Sequence, residues 1–533
     1  MKYRNLISFL LAIGITSSYT MTAVHAEEMR SAASKHTQTD SDNQRIQLHP
    51  LPGFFRFSFD NASTSDNTQH MGLVGFNYFT DITPNLYGGV GIYGAVTGTQ
   101  GGLFVLAVGG GWHHQFIPHW WGDIGFDAGA GGGKSAYAGG GLMLRPHIGI
   151  AYAWDWARLG LHYSYINFPS GQIHSRQIGL DFEIPAIFYY VSLNENRSWP
   201  FKLSDMHVPH GKFLDFERND FAILLQAYRQ QQGTLNTEGN RQDGTMGLVG
   251  VEFDHYFTNN CFWWLKAAGA FRGIPNGYMD ILGGLGYHWS SGWYGLAFVP
   301  QFGVGAGGGG MVDTGGGLLI NPLLGIELPL TARFSTRLSG GYLWAPNGRL
   351  KAIPITGELI YHLNMATLDV YPTHYLLDNL SIQGWRTQLL SQTYLHPQSN
   401  AHAARTSINL FAVQIDQLLT PMFFLSYQGA FAYRGDHSGG FATGMLGAGI
   451  QSLYFLHQRM QLFSEILVGA GGGGGLALAG GSLIEPVAGF RYAFNPIFGL
   501  QASVSQVKAL RDRLNTTVLN LGVTIRFDTL TKE

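Results

Sequence analysis

A single cysteine, Cys261, in 533 residues leaves no material for an intramolecular disulfide framework, a thiolate metal cluster or a redox pair. Charge is scarce as well. Asp, Glu, Lys and Arg make up 12% of the chain, about half the usual share of a soluble domain. The 32 basic and 34 acidic side chains nearly cancel, so no basic face for nucleic acid is expected. Beyond the N-terminus, every hydrophobic stretch is broken by Gly, Pro or a polar residue, and no transmembrane helix is predicted. What the chain does have is 74 glycines and 14% aromatic residues. Low charge with abundant Gly and aromatics suits a surface that faces lipid.

The first residues read as a secretory signal: Lys2 and Arg4, an apolar run from Leu6 to Ile15, and Val24-His25-Ala26 as a small-residue site with cleavage after Ala26. Residues 27–50 are polar and aperiodic, and are expected to form a flexible lead-in. An exported chain without a membrane-spanning helix can still cross a bilayer if its strands close into a barrel, because closure satisfies every backbone donor and acceptor.

An internal repeat organises the rest. Gly129-Ala130-Gly131-Gly132-Gly133 leads to Pro146, Gly305-Ala306-Gly307 through Gly310 leads to Pro322, and Gly469-Ala470-Gly471 through Gly475 leads to Pro486. Met71-Gly72-Leu73-Val74-Gly75 recurs as Met246-Gly247-Leu248-Val249-Gly250, and Gly94-Ala95 returns as Gly269-Ala270 and Gly429-Ala430. Repeats of this kind decide an architecture. The expected units are 51–190, 219–364 and 385–533, joined by linkers at 191–218 and 365–384.

Within each copy the pattern has a period of two. Leu519, Leu521, Val523, Ile525 and Phe527 share one face, and Asn520, Gly522, Thr524, Arg526 and Asp528 the other. Phe334, Thr336 and Leu338 oppose Arg333, Ser335 and Arg337 in the same way. A soluble sandwich would carry more Lys and Glu on its polar face. The reading is therefore an all-β transmembrane antiparallel β-barrel with about eight strands per copy. Two closures stand open: three tandem eight-stranded barrels, favoured by the long connectors, or one 24-stranded wall, favoured by the many small inward residues.

The C-terminal run Asn520-Leu521-Gly522-Val523-Thr524-Ile525-Arg526-Phe527 resembles the terminal strand signal of bacterial outer-membrane barrels. Asn520, Gly522, Ile525 and Phe527 carry the likeness, although six residues follow Phe527 where that family usually stops. The resemblance implies the outer membrane as location, with its lipid and the barrel-assembly machinery as partners. His162-Tyr163-Ser164 resembles the active-site strand of the lipid A 3-O-deacylase family, with Asp181 or Glu183 as the acid; Tyr165 stands where that family has Asn. His and Ser two apart on a strand share a face, which is what activation of the hydroxyl requires.

Other motifs have plainer readings. Ala128 through Lys134-Ser135 satisfies a loose phosphate-loop pattern, but no amphipathic helix follows it. His113, His114 and His119, and His207 with His210, lack the fixed spacing of a metal site, so no cofactor or metal is expected. Arg333, Arg337 and Glu358 point inward and could line a lumen or pair across it. The expected function is a passive pore for small solutes, or a structural or surface-interaction barrel; the alternative is a lipid-modifying hydrolase using His162 and Ser164.

Overall fold

The computed structural model describes residues 46–66, 68–133, 135–191, 206–208, 212–273, 277–293, 295–369, 380–399, 406–435 and 438–532. The predicted signal segment, with Ala26, lies outside them.

The first copy contains β1 (Ile46–Ser63), β2 (His70–Asp81), β3 (Leu86–Ala95), β4 (Phe104–Ile117), β5 (Trp120–Gly132), β6 (Leu142–Ala153), β7 (Arg158–Asn167) and β8 (His174–Val191). A single helical turn, α1 (Ser135–Ala138), interrupts the β5–β6 loop. Neighbours pair antiparallel throughout, and β1 also pairs with β8, so the sheet closes on itself. A two-residue strand, β9 (Met206–His207), runs parallel to the start of β1.

The second copy contains β10 (Phe213–Gln230), β11 (Thr245–Tyr256), β12 (Cys261–Arg272), β13 (Met279–Tyr287), β14 (Trp289–Ser290), β15 (Ala297–Gly308), β16 (Leu318–Pro329), β17 (Phe334–Gly341), β18 (Leu343–Trp344) and β19 (Lys351–Asp369). Both β13 and β14 pair with β15, and both β17 and β18 pair with β19, so each couple is one interrupted wall strand. Closure is by β10 with β19.

The third copy contains β20 (Leu380–Tyr394), β21 (Ile408–Leu418), β22 (Phe423–Arg434), β23 (Ala442–Gln451), β24 (Met460–Gly472), β25 (Ser482–Ala493), β26 (Phe498–Ala509) and β27 (Asn515–Lys532), closed by β20 with β27. The chain thus folds as an all-β transmembrane antiparallel barrel three times over, and the single-wall closure is not formed.

Alternation sets the two faces. On β8, Ser175, Gln177, Asp181 and Glu183 are buried, while Ile178 is 71% exposed and Leu180 49%. The same phase gives outward Phe57, Ile148, Leu161, Leu225, Phe302, Leu324, Leu338, Ile355, Ile466 and Leu521. Large apolar side chains on the outside of a closed sheet call for hydrocarbon around them. Trp154, Trp156, Trp289, Trp293, Phe257 and Phe494 crowd the short turns at one end, where an interfacial girdle belongs.

The small inward residues do not leave the barrels open. A Cβ on Gly75 would meet the Tyr93 ring, on Gly125 the His147 ring, on Gly303 the Trp264 ring and on Gly286 the Phe262 ring. Each of these four glycines makes room for a large side chain reaching over from another strand, the adjacent one for Gly75, Gly125 and Gly286 and the next but one for Gly303. Small and large alternate across strands, and a narrow eight-stranded interior is filled.

The glycine runs sit at the loop end, opposite the girdle turns, and there the barrels touch. The β3–β4 loop of the first barrel packs on the β15–β16 loop of the second, with Gly101 N–H donating to Gly315 O at 3.0 Å. The β22–β23 loop of the third packs on the β5–β6 loop of the first, with Gly439 N–H donating to Gly139 O at 2.8 Å. Between the second and third, Ser482 Oγ donates to Phe271 O at 2.6 Å. Side chains at Gly102, Gly132 or Gly277 would run into the facing backbone at Gly309, Gly440 and Gly473. In every case the loop after a copy's third strand meets the loop after the fifth strand of the next copy, so the three barrels form a closed cyclic ring. Phe104, Ala130, Ala306 and Phe431, drawn from all three, form an apolar cluster at its centre.

At the other end the closing strands outrun their barrels. Gly53↔Thr80 is the last β1–β2 pair, yet β1 stays paired with β8 as far as Leu48↔Val191. Likewise β10 stays on β19 to Phe213↔Asp369, and β20 on β27 to Leu380↔Lys532. The three ribbons converge on a core of Ile46, Leu48, Val191, Leu214, Ala366, Leu380 and Leu530, bridged by Val191↔Asp528 and Asn364↔Lys532. This stalk revises three expected segments. Strand structure begins at Ile46, inside the expected lead-in, and much of the described part of both expected linkers is strand, because buried apolar residues there give the ribbons a core of their own.

Candidate functional site in the barrel interiors

Each barrel holds layers of apolar side chains around a layer of charge. In the first, Ala62, Met71, Tyr93, Val105, Met143, Ile166 and Phe168 close the loop end, and Phe54, Phe79 and Tyr87 lie toward the stalk end. Between them are two arginines. Arg56 contacts Glu183 at 2.6 Å and Asp123 at 3.1 Å; Arg145 contacts Asp60 at 2.9 Å and Asp127 at 2.8 Å. Arg145, Asp60 and Asp127 are each at most 1% exposed.

His162 and Ser164 belong to this layer. His162 Nδ1 lies 2.8 Å from Asp181 Oδ2, and Nε2 lies 2.9 Å from both Arg145 Nη2 and Asp60 Oδ1. With Nδ1–H donating to Asp181, Nε2 accepts from Arg145 in the neutral ring and donates to Asp60 in the imidazolium. Ser164 Oγ donates to Asp60 at 2.6 Å and accepts from Gln177 at 2.9 Å. The hydroxyl proton therefore goes to Asp60 and not to His162. Of the two acids expected beside this pair, Asp181 does reach His162, while Glu183 serves Arg56. Ser164 is 0% exposed and His162 2%, so a lipid ester on the outer wall has no approach.

The second barrel centres on Arg337, which reaches Glu358 at 2.5 Å, Glu252 at 2.6 Å and Asp254 at 3.3 Å, with Lys266 3.4 Å from Asp280 nearby. Arg337 and Glu358 both face inward, and their contacts run across the interior. Arg333 lies in the turn between β16 and β17, half-buried, rather than on the strand where alternation put it. The third barrel has Arg386 2.9 Å and Arg491 3.5 Å from Asp416, with Gln414 and Ser426 donating to Glu465. Arg491 also lies 3.7 Å from the centre of the Phe463 ring.

The arginines of these networks do not occupy equivalent positions. Counting from the aligned glycine runs, Arg145 corresponds to Asn321 and Glu485. Burying charge is tolerated where it is paired and hydrogen-bonded, and each copy meets that demand with a different set. Sequence reading singled out Arg337 and Glu358 but passed over Arg56, Asp60, Asp123, Asp127 and Arg145. The available signal was a charged residue in the polar phase of an otherwise uncharged strand.

The remaining motifs resolve variously. His113 points inward beside Phe54, Tyr87 and Trp121, whereas His114 and His119 are exposed. Lys134, His210 and the side chains of Ser135 and His207 lie outside the described residues. No group of three or more His, Cys, Asp or Glu side chains among the described residues is placed to hold a metal ion. On β27, Asn520 is buried and Ile525 half-buried; Phe527 does not end the strand and stacks edge-on against Phe188 of the first barrel at 5.5 Å.

No protein-family model matches the chain, and no curated protein does. Among solved structures, the siderophore receptor PirA from Pseudomonas aeruginosa is 10% identical, with 90% of this chain and 80% of that chain covered and a TM-score of 0.26. Pseudomonas aeruginosa OpdQ is 8% identical, with 91% and 98% covered and a TM-score of 0.20. Neisserial surface protein A is 13% identical, with 28% of this chain and 99% of that chain covered and a TM-score of 0.20. Likeness at this level carries nothing about what the chain does.

Proposed function

We propose that the chain is an outer-membrane protein with a structural or surface-presenting role, three sealed barrels held as one rigid raft, rather than a pore. The carrying observation is that side chains fill all three interiors. The cavity between Arg56, Asp123, Asp181 and Glu183 measures about 10 Å³, at the threshold for holding one water. The buried contacts of Arg145, Arg337 and Arg386 make opening costly, because a displaced carboxylate would be left uncompensated. The surface left to meet a partner is then the part of the loop end that the inter-barrel contacts do not cover. Export, recognition of Asn520, Gly522, Ile525 and Phe527 by the barrel-assembly machinery, and later cover of Phe527 by Phe188 belong to the same reading. Planar-bilayer recording on the purified full chain tests it. No conductance step above the bare lipid is expected, and a stable open level would defeat it. The burial of Ser164 weighs equally against lipid hydrolysis there.

A further inference from the structure

One cavity of this protein lies outside a barrel, not inside one. It is a groove of about 440 Å³ on the lipid-facing wall of the first barrel, bounded by Trp112, Ile124, Ile148, Ile150 and Leu161, with Gly122 in its floor. Those five side chains are between 43% and 56% exposed, so the groove opens into the apolar belt.

The internal repeat explains why it is there. Gly122 pairs with Ile150 across β5 and β6. The matching pairs are Phe298↔Ile326 in the second barrel and Leu462↔Phe490 in the third. Phe298 and Leu462 are outward, 36% and 55% exposed, and fill the space that Gly122 vacates. The backbone does not require glycine at 122. Its φ is not positive, and an added Cβ would meet only the Phe116 ring at 3.7 Å, an ordinary contact.

We infer that this groove is a binding site for one hydrocarbon chain of a membrane lipid. Its lining is apolar but for Asp123, which is turned to Arg56 and His147, its mouth faces hydrocarbon, and the walls offer an occupant dispersion contact with aliphatic groups and the Trp112 indole. A chain lying between Trp112 and Leu161 is packed on several sides. The site goes beyond the structural role proposed above and does not depend on the interiors being sealed.

The test uses the full chain in phosphatidylethanolamine and phosphatidylglycerol vesicles doped with a phospholipid carrying a diazirine on its acyl chain. Crosslinks are mapped by peptide, and β16 serves as the internal reference for β6. In the wild type, label on β6 exceeds label on β16 by about tenfold, the ratio that one decade of affinity gives. Gly122→Leu and Gly122→Phe, each the residue another copy already carries there, remove the excess without changing β16. Equal labelling of the two strands in the wild type overturns the proposal, and so does an excess that survives both variants. Phe298→Ala supplies the converse: new label on β16 supports the groove as the cause, and no gain counts against it.

Discussion

Gly439 donates its backbone N–H to the carbonyl of Gly139 at 2.8 Å, a main-chain tie between the third barrel and the first. Such an approach has no space for side chains. Gly102→Val, at the corresponding junction of the first and second barrels, places a branched side chain against the Gly309 backbone at a residue with φ of +91°. Forcing bulk into a packed contact costs about 1–3 kcal/mol. Folded protein is expected to convert to the unfolded gel band at lower temperature, with strand content at room temperature unchanged.

The Arg337 cage makes a stronger prediction. Arg337→Ala leaves Glu252, Asp254 and Glu358 facing one another without a cation, and removing one partner from a buried ion pair costs about 3–5 kcal/mol. Urea unfolding from detergent should show that loss, together with raised access of water to the second barrel. Replacing the cage by Arg337→Met with Glu252→Gln and Glu358→Gln should restore much of it.

Small and large partners inside the walls should trade. Gly303→Ala places a methyl group into the Trp264 indole and is expected to destabilise, as is Trp264→Leu on its own through lost packing. Combined, the two should cost less than their sum, a coupling that a double-mutant cycle on unfolding free energies reads directly.

Ser164→Ala separates a structural hydroxyl from a catalytic one. The substitution leaves Asp60 short of one donor and Gln177 short of one acceptor, a loss of about 1–3 kcal/mol. Lower thermal stability is expected. Labelling of the intact wild type by a serine-directed fluorophosphonate is expected to be nil, and labelling at Ser164 would overturn the structural assignment.

How much of this was readable beforehand depends on the range of the cause. Period-two alternation is local, so β17 and β27 and their faces could be read, and the aligned glycine runs pointed to three copies. Whether Arg337 and Glu358 line a channel or obstruct it depends on Glu252 and Asp254 from another strand, and no spacing reports that. The inward glycines looked like empty space because their partners, Tyr93, His147 and Trp264, lie on other strands. His162 and Ser164, two apart on β7, both turn inward, but local pattern alone could not say that Asp60, about a hundred positions away, would take the serine proton. The stalk was missed because residues 46–50, 213–218 and 364–369 are short, and become strand only when three ribbons meet over Leu48, Leu214 and Leu530.

The cyclic order of the ring has an evolutionary corollary. In a trimer of separate identical chains, one gene must serve every junction, and any change is imposed three times at once. Here each junction joins different stretches of one polypeptide, with neighbours held at high effective concentration by the chain itself. A mutation at one contact can be answered by a single change opposite it. The unlike residues at matched places, Arg145 against Glu485 and Gly122 against Phe298, are the divergence that such freedom permits.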